Sequence, residues 1–162
     1  MHAFLTNLFT NWASFYSNQA VVRTFIGFAH VGALLVGGGG AISADRATLV
    51  AIRSGSGNAR LEQLKNMKGT HRLVLFGLII ATVSGAMLFA ADYETYMYSK
   101  MFWTKISLFL VLVGNGAMLL RAGRLAEAGD ERGWIWLKRT SVASVALWLL
   151  TTFVGAALPN IG

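Results

Sequence analysis

Four stretches of the chain are apolar over nearly their whole length, at about 23–44, 71–91, 101–121 and 138–158. A bilayer core about 30 Å thick is crossed by roughly 20 apolar helical residues. Each stretch therefore predicts a membrane-crossing helix. The third needs Met101, Phe102 and Trp103 to reach that length, with Lys105 snorkelling to the surface. Pro159 marks the expected end of the fourth.

The stretch 1–19 is patterned differently. Phe4, Leu5, Leu8, Phe9, Trp12, Phe15 and Tyr16 recur at helical spacing, with Asn7, Asn11 and Ser14 between them. This predicts an amphipathic helix lying in the membrane interface. A helix continuous with the first span is the competing reading. The stretch lacks the basic start and unbroken apolar core of a signal peptide.

Polar positions between the spans set the orientation. Arg46, Arg53, Arg60, Lys65, Lys68 and Arg72 lie between the first two spans, and Arg121, Arg124, Arg132, Lys138 and Arg139 between the last two. Eleven of the fourteen basic residues thus fall on one side, which the positive-inside rule assigns to the cytoplasm. Both termini are then outside. Trp12, Tyr93, Tyr96, Tyr98 and Trp103 suit an outer aromatic belt, and Trp134 and Trp136 an inner one. The run Ser-Gly-Ser-Gly-Asn at 54–58 is a break. After it, Leu61, Leu64 and Met67 alternate with Glu62, Lys65 and Lys68, so the second helix should begin before the membrane with a basic turn on lipid headgroups. The expected fold is all-α: an integral membrane antiparallel four-helix bundle with an N-terminal interfacial helix.

Composition agrees. The chain is 55% hydrophobic and 13% charged, against about 25% charged in soluble domains. A net charge of +7 would raise nucleic-acid binding in a soluble protein. Here the basic residues sit in loops, and the expected partner is the bilayer, with other membrane subunits or a second copy as further candidates. There is no cysteine, hence no thiolate site or disulfide. No phosphate loop and no carboxylate pair is visible, and the four predicted spans contain no Asp or Glu. That weighs against a proton-coupled transporter.

Lipid tails give helices no hydrophobic drive to associate, so small residues that permit close approach mark the contacts. Ala29, Ala33, Gly37 and Ala41 lie four apart on the first span, and Gly77, Ala81 and Gly85 on the second. The run Gly37-Gly38-Gly39-Gly40 is costly within a helix. It predicts something flat or bulky against it, either a helix or a planar cofactor.

His30 is the one histidine well inside a span, roughly 10 Å below the outer interface at about 1.5 Å per residue from Arg23. His71 opens the second span beside Arg72. Imidazole is the usual axial ligand of haem, so each is a candidate haem ligand. Gly38 and Gly39 could pass the macrocycle, and Arg23 and Arg72 lie near enough to the two surfaces to meet its charged edge. The alternatives are a neutral His30 bonded to a backbone carbonyl or to Asn115, and an interfacial His71. The two histidines differ in height by about 20 Å, whereas nitrogens sharing one iron are only about 4 Å apart. Two sites are therefore expected. Met87 lies near the height of His30 and Met118 near that of His71. Copper is the alternative metal, with Met87, Met97 or Met101 as soft ligands beside His30. A cofactor-free subunit of a larger assembly is the alternative from another class. Asn115 should bond another helix.

The chain resembles the bacterial four-helix membrane proteins of the copper-resistance D type and, more distantly, the HemJ-like protoporphyrinogen oxidases. The likeness rests on His30 followed by Gly38-Gly39, on Arg72 and Gly85 of the second span, and on the run from Tyr98 through Lys105 to Leu108. It covers roughly 25–158. The tryptophan that often precedes the glycine pair is replaced by Leu35-Val36. The resemblance implies a bacterial inner (plasma) membrane protein holding haem b or copper near His30. No catalytic residue is implied.

Overall fold

A computed structural model of the protein describes the backbone of residues 2–161 and the side chains of residue 7 and residues 9–158. The six helices are α1 (His2–Asn18), α2 (Ala20–Ser54), α3 (Gly57–Ala91), α4 (Tyr93–Tyr98), α5 (Lys100–Glu127) and α6 (Glu131–Ile161). Four of them, α2, α3, α5 and α6, are long and apolar enough to cross a membrane. Helix α6 continues through Pro159 to Ile161, so the proline does not end it as the sequence suggested, and the side chains of Phe4, Leu5 and Leu8 of the amphipathic pattern lie outside the described residues.

The long helices overrun the predicted spans at the basic end. Helix α2 has 35 residues, about 52 Å at 1.5 Å per residue, against a bilayer core of about 30 Å. The basic stretch 46–53 is a continuation of α2, and α3 begins at Gly57, well before its span, as the break at 54–58 and the pattern of Leu61, Leu64 and Met67 predicted. The true connection is Gly55-Ser56. Gly55 takes the left-handed conformation that ends α2 (φ 68°), and the Ser56 hydroxyl accepts from the Ala59 amide to start α3.

Helix α1 is separate from α2. The chain turns at the extended residue Gln19 (φ −112°, ψ 91°), and Arg23 donates to the Ser17 carbonyl across the turn. The Trp12 indole donates to the Met87 carbonyl at 2.9 Å, and Phe9 stacks on Tyr93 at 5.1 Å. Helix α1 is thereby tied to the aromatic end of α3 and to α4.

Two pairs of helices pack tightly, α2 with α3 and α5 with α6, and α2 joins the pairs by packing on α6. Small residues make the closest approaches. A Cβ on Gly77 would stand 2.9 Å from Gly37 Cα and 3.0 Å from the Ala33 carbonyl. Gly133 of α6 comes equally close to the backbone of Ala122 and Ala126 in α5. Gly38 lies flat against the Trp148 indole, where a Cβ would come within 2.9 Å of Cε3. The flat group on the glycine run is thus a tryptophan of α6. Gly39 faces outward with open space around it. Helices α3 and α5 barely touch.

These contacts separate neighbouring glycines by consequence. Gly77→Val forces backbones apart and should lower stability by about 1–3 kcal/mol, as should Gly38→Leu. Gly39→Leu should leave the melting temperature in detergent unchanged. Thermal unfolding of the three variants checks this ordering.

Candidate functional site

The polar interior falls into two regions, separated along the helices as the heights of His30 and His71 require. The first lies towards the aromatic end. Helix α2 presents half-buried His30 to α3, where its Nδ1 is 3.1 Å from both the Ala81 carbonyl and the Ser84 hydroxyl oxygen. A carbonyl only accepts, so Nδ1 carries the hydrogen and Nε2 keeps the lone pair of the neutral ring. Ser84 is itself anchored by donating to the Ile80 carbonyl at 2.6 Å. Gly85 makes room for the ring, since a Cβ there would lie 3.2 Å from His30 Cε1. Lys105 of α5 lies across Gly155 of α6, its Nζ 3.1 Å from where a Cβ there would stand. A ligating histidine usually donates its second nitrogen to a carbonyl in this way, but so does a histidine used only for packing.

The second region opens at the basic end. Because α3 and α5 barely touch, a cavity of about 540 Å³ remains between them, floored by α2 and α6. Half-buried His71 is on its wall, with Leu112, Leu120 and Trp148 supplying apolar surface. Lys68, Arg72 and Arg124 stand at its rim. Lys68 pairs with Glu127 across the mouth at 3.2 Å. Deeper lies Asp45, 4% exposed, beside the Ser144 and Ser141 hydroxyls of α6. Next to it Gln63 donates to the Ala44 carbonyl (3.2 Å) and the Thr48 hydroxyl (3.0 Å), pinning α3 to α2.

The sequence-predicted residues are thus dispersed. His71 and Arg72 share the cavity. His30 belongs to the other region, with Gly38 against Trp148 between the two and Gly39 on the outside. Arg23 caps the turn after α1. Met118 is half exposed and lies off the cavity wall, whereas Met67, read in the sequence only as part of the basic turn that opens the second helix, is on it. Met87 lends its carbonyl to Trp12. Met97 is exposed, and Met101 is half-buried. Asn115 meets another helix, donating to the Thr140 carbonyl at 3.0 Å. Among the described residues no three His, Asp or Glu side chains cluster as a metal-ion site. Asp45 corrects the sequence reading that no carboxylate lies in the helix interior: it falls one residue beyond the predicted end of the first span, yet α2 carries it inside. The signal available was its register, four residues after Ala41 on the small-residue face.

No protein-family model, curated protein or solved structure matches the chain.

The two histidines differ in what their removal leaves behind. His30→Ala strips a partner from Ser84 and opens a void in a helix contact, which should cost about 1–3 kcal/mol. His71→Ala only enlarges a cavity and should change stability by less than about 1 kcal/mol. Melting of the cofactor-free protein in detergent compares them.

Proposed function

We propose that the chain is a multi-pass protein of a bacterial-type inner membrane, an antiparallel four-helix bundle that holds a b-type haem and moves electrons within the membrane. The four long apolar helices support the membrane setting, and the charge asymmetry supports termini on the outer side with the basic extensions in the cytoplasm. Contacts that step down α3 as they step up α2, from Gly37–Gly77 to Thr48–Gln63, favour helices of opposite direction. On this topology the aromatic N-terminal helix rests on the outer interface.

The observation that carries the haem reading is the cavity. Its size is within the range of about 300–1,000 Å³ usual for sites of small organic ligands. It combines one imidazole with largely apolar walls and a rim on which Arg72 and Arg124 remain free of the Lys68–Glu127 pair, with Asp45 held apart against α6, a set that suits an iron macrocycle with carboxylate side arms. His71 would ligate the iron. Leu112, Leu120 and Trp148 would pack against its apolar body, and Arg72 and Arg124 would meet the carboxylates. A haem bound there supplies a one-electron couple inside the membrane. His30, with Nε2 free, is the candidate ligand for a second site. Of the two histidines, the cavity favours His71. As an oxidoreductase component the chain would serve a donor and an acceptor reached through other subunits.

Pyridine haemochrome assays of purified variants test the assignment. His71→Ala should lose the haem, or one of two, and Arg72→Gln with Arg124→Gln should lower occupancy several-fold. Full haem content in His71→Ala, or a colourless wild type from haem-supplemented cells, contradicts it. Reporter fusions at either terminus should be active outside the cytoplasm. Activity on the cytoplasmic side reverses the orientation.

A further inference from the structure

The cavity wall on α2 holds a buried group that neither packing nor the proposed cofactor uses. Asp45 is buried and has no ion-pair partner among the described residues. The charged groups sharing its cavity are Lys68, His71 and Arg72 on α3 and Arg124 and Glu127 on α5, of which Lys68 and Glu127 neutralise each other at the rim. Helix α6 offers it only hydroxyls, those of Ser144 and Ser141. Helical hydroxyls ordinarily bond back to the carbonyl four residues earlier. Thr48, Thr82, Ser84 and Thr140 do so. Ser141 does not: it is 0% exposed, and its oxygen is turned towards Asp45 without closing a short hydrogen bond.

A carboxylate withdrawn from water with no cation beside it is unstable as an anion. Two hydroxyls can orient a carboxyl but cannot neutralise it. A metal cation would need further ligands besides the two carboxyl and two hydroxyl oxygens to reach the six or more that hard cations gather, and among the described residues no group of three His, Asp or Glu side chains clusters around Asp45 to supply them. A proton needs only one acceptor. We propose that Asp45, Ser141 and Ser144 form a proton-binding site, filled at neutral pH and reached from the basic end of the helices through the cavity. Water entering the cavity delivers or removes the proton, which rests on the Asp45 carboxyl and is shared with a serine oxygen. Asp45 lines the same cavity as His71, and the site requires no haem there.

Infrared difference spectroscopy of the full chain in lipid nanodiscs, titrated from acid to alkaline pH, tests this. The wild type should show the carbonyl stretch of a protonated carboxyl at neutral pH and lose it in alkali. Asp45→Asn should lack that titrating band, and Ser144→Ala should shift it. A wild type without the band at neutral pH overturns the proposal, as does a band that survives in Asp45→Asn. A band that responds to sodium at fixed pH overturns it too, because a metal ion then occupies the proton's place. Asp45→Glu provides a second variant if the Asn form fails to insert. Its band must move in frequency if position 45 is the source, and an unmoved band rejects the site. Haem content plays no part in these readouts.

Discussion

The approach of Gly77 to Gly37 and to the Ala33 carbonyl is the contact on which the interior depends. Apolar side chains gain little by leaving lipid for protein, so helices in a membrane hold together by dispersion and by hydrogen bonds made where backbones come close. With no Cβ on Gly77, α3 settles directly on the backbone of α2. That seating places Ala81 and Ser84 opposite His30 and Gln63 opposite Thr48. A side chain at position 77 would loosen both polar contacts together.

The same economy at Gly133 fastens α6 to α5, and at Gly38 it lets the Trp148 indole lie on α2. Two tight pairs joined along one seam leave a gap along the other. The gap between α3 and α5 is the cavity, and its chemistry is graded. Basic side chains stand at the rim, a half-buried imidazole is on the wall, and a buried carboxyl lies against α6. A ligand with an anionic edge and an apolar body would enter with its edge outward. The unpaired hydroxyls of Ser141 and Thr151 lie on the α6 face that also carries Trp148. Polar capacity therefore continues along α6 beyond Ser144, as far as Thr151.

The apolar runs made the four long helices legible, because length and hydropathy are properties of the chain itself. The stripe of Ala33, Gly37, Gly77 and Ala81 likewise announced a close contact. Other features depended on rotation about a helix axis, which sequence spacing shows only once a partner is known. Gly38 and Gly39 are adjacent and equally bare, yet about 100° of rotation puts one under an indole and the other outside. Met118 has the right height beside His71 but the wrong face. The partners of His30 lie more than fifty residues away, and no local pattern pairs them. Asp45 was hidden for another reason. Charged Arg46 follows it, so the pair reads as the end of a span. A helix that continues for another turn and beyond instead sends the arginine outward and the aspartate in.

The most direct measurement of where a cofactor sits uses the absence of cysteine from the chain. A single nitroxide can be attached at Glu127→Cys on the cavity rim or at Tyr98→Cys on the aromatic end, both at exposed positions. Ferric iron speeds the relaxation of a nearby spin label, and the effect falls steeply with distance. With haem held at His71, the label at position 127 should relax markedly faster than the label at 98, and both should slow when the haem is extracted. Faster relaxation at position 98 would put the iron beside His30 instead, and no change on extraction would remove haem from the interior altogether.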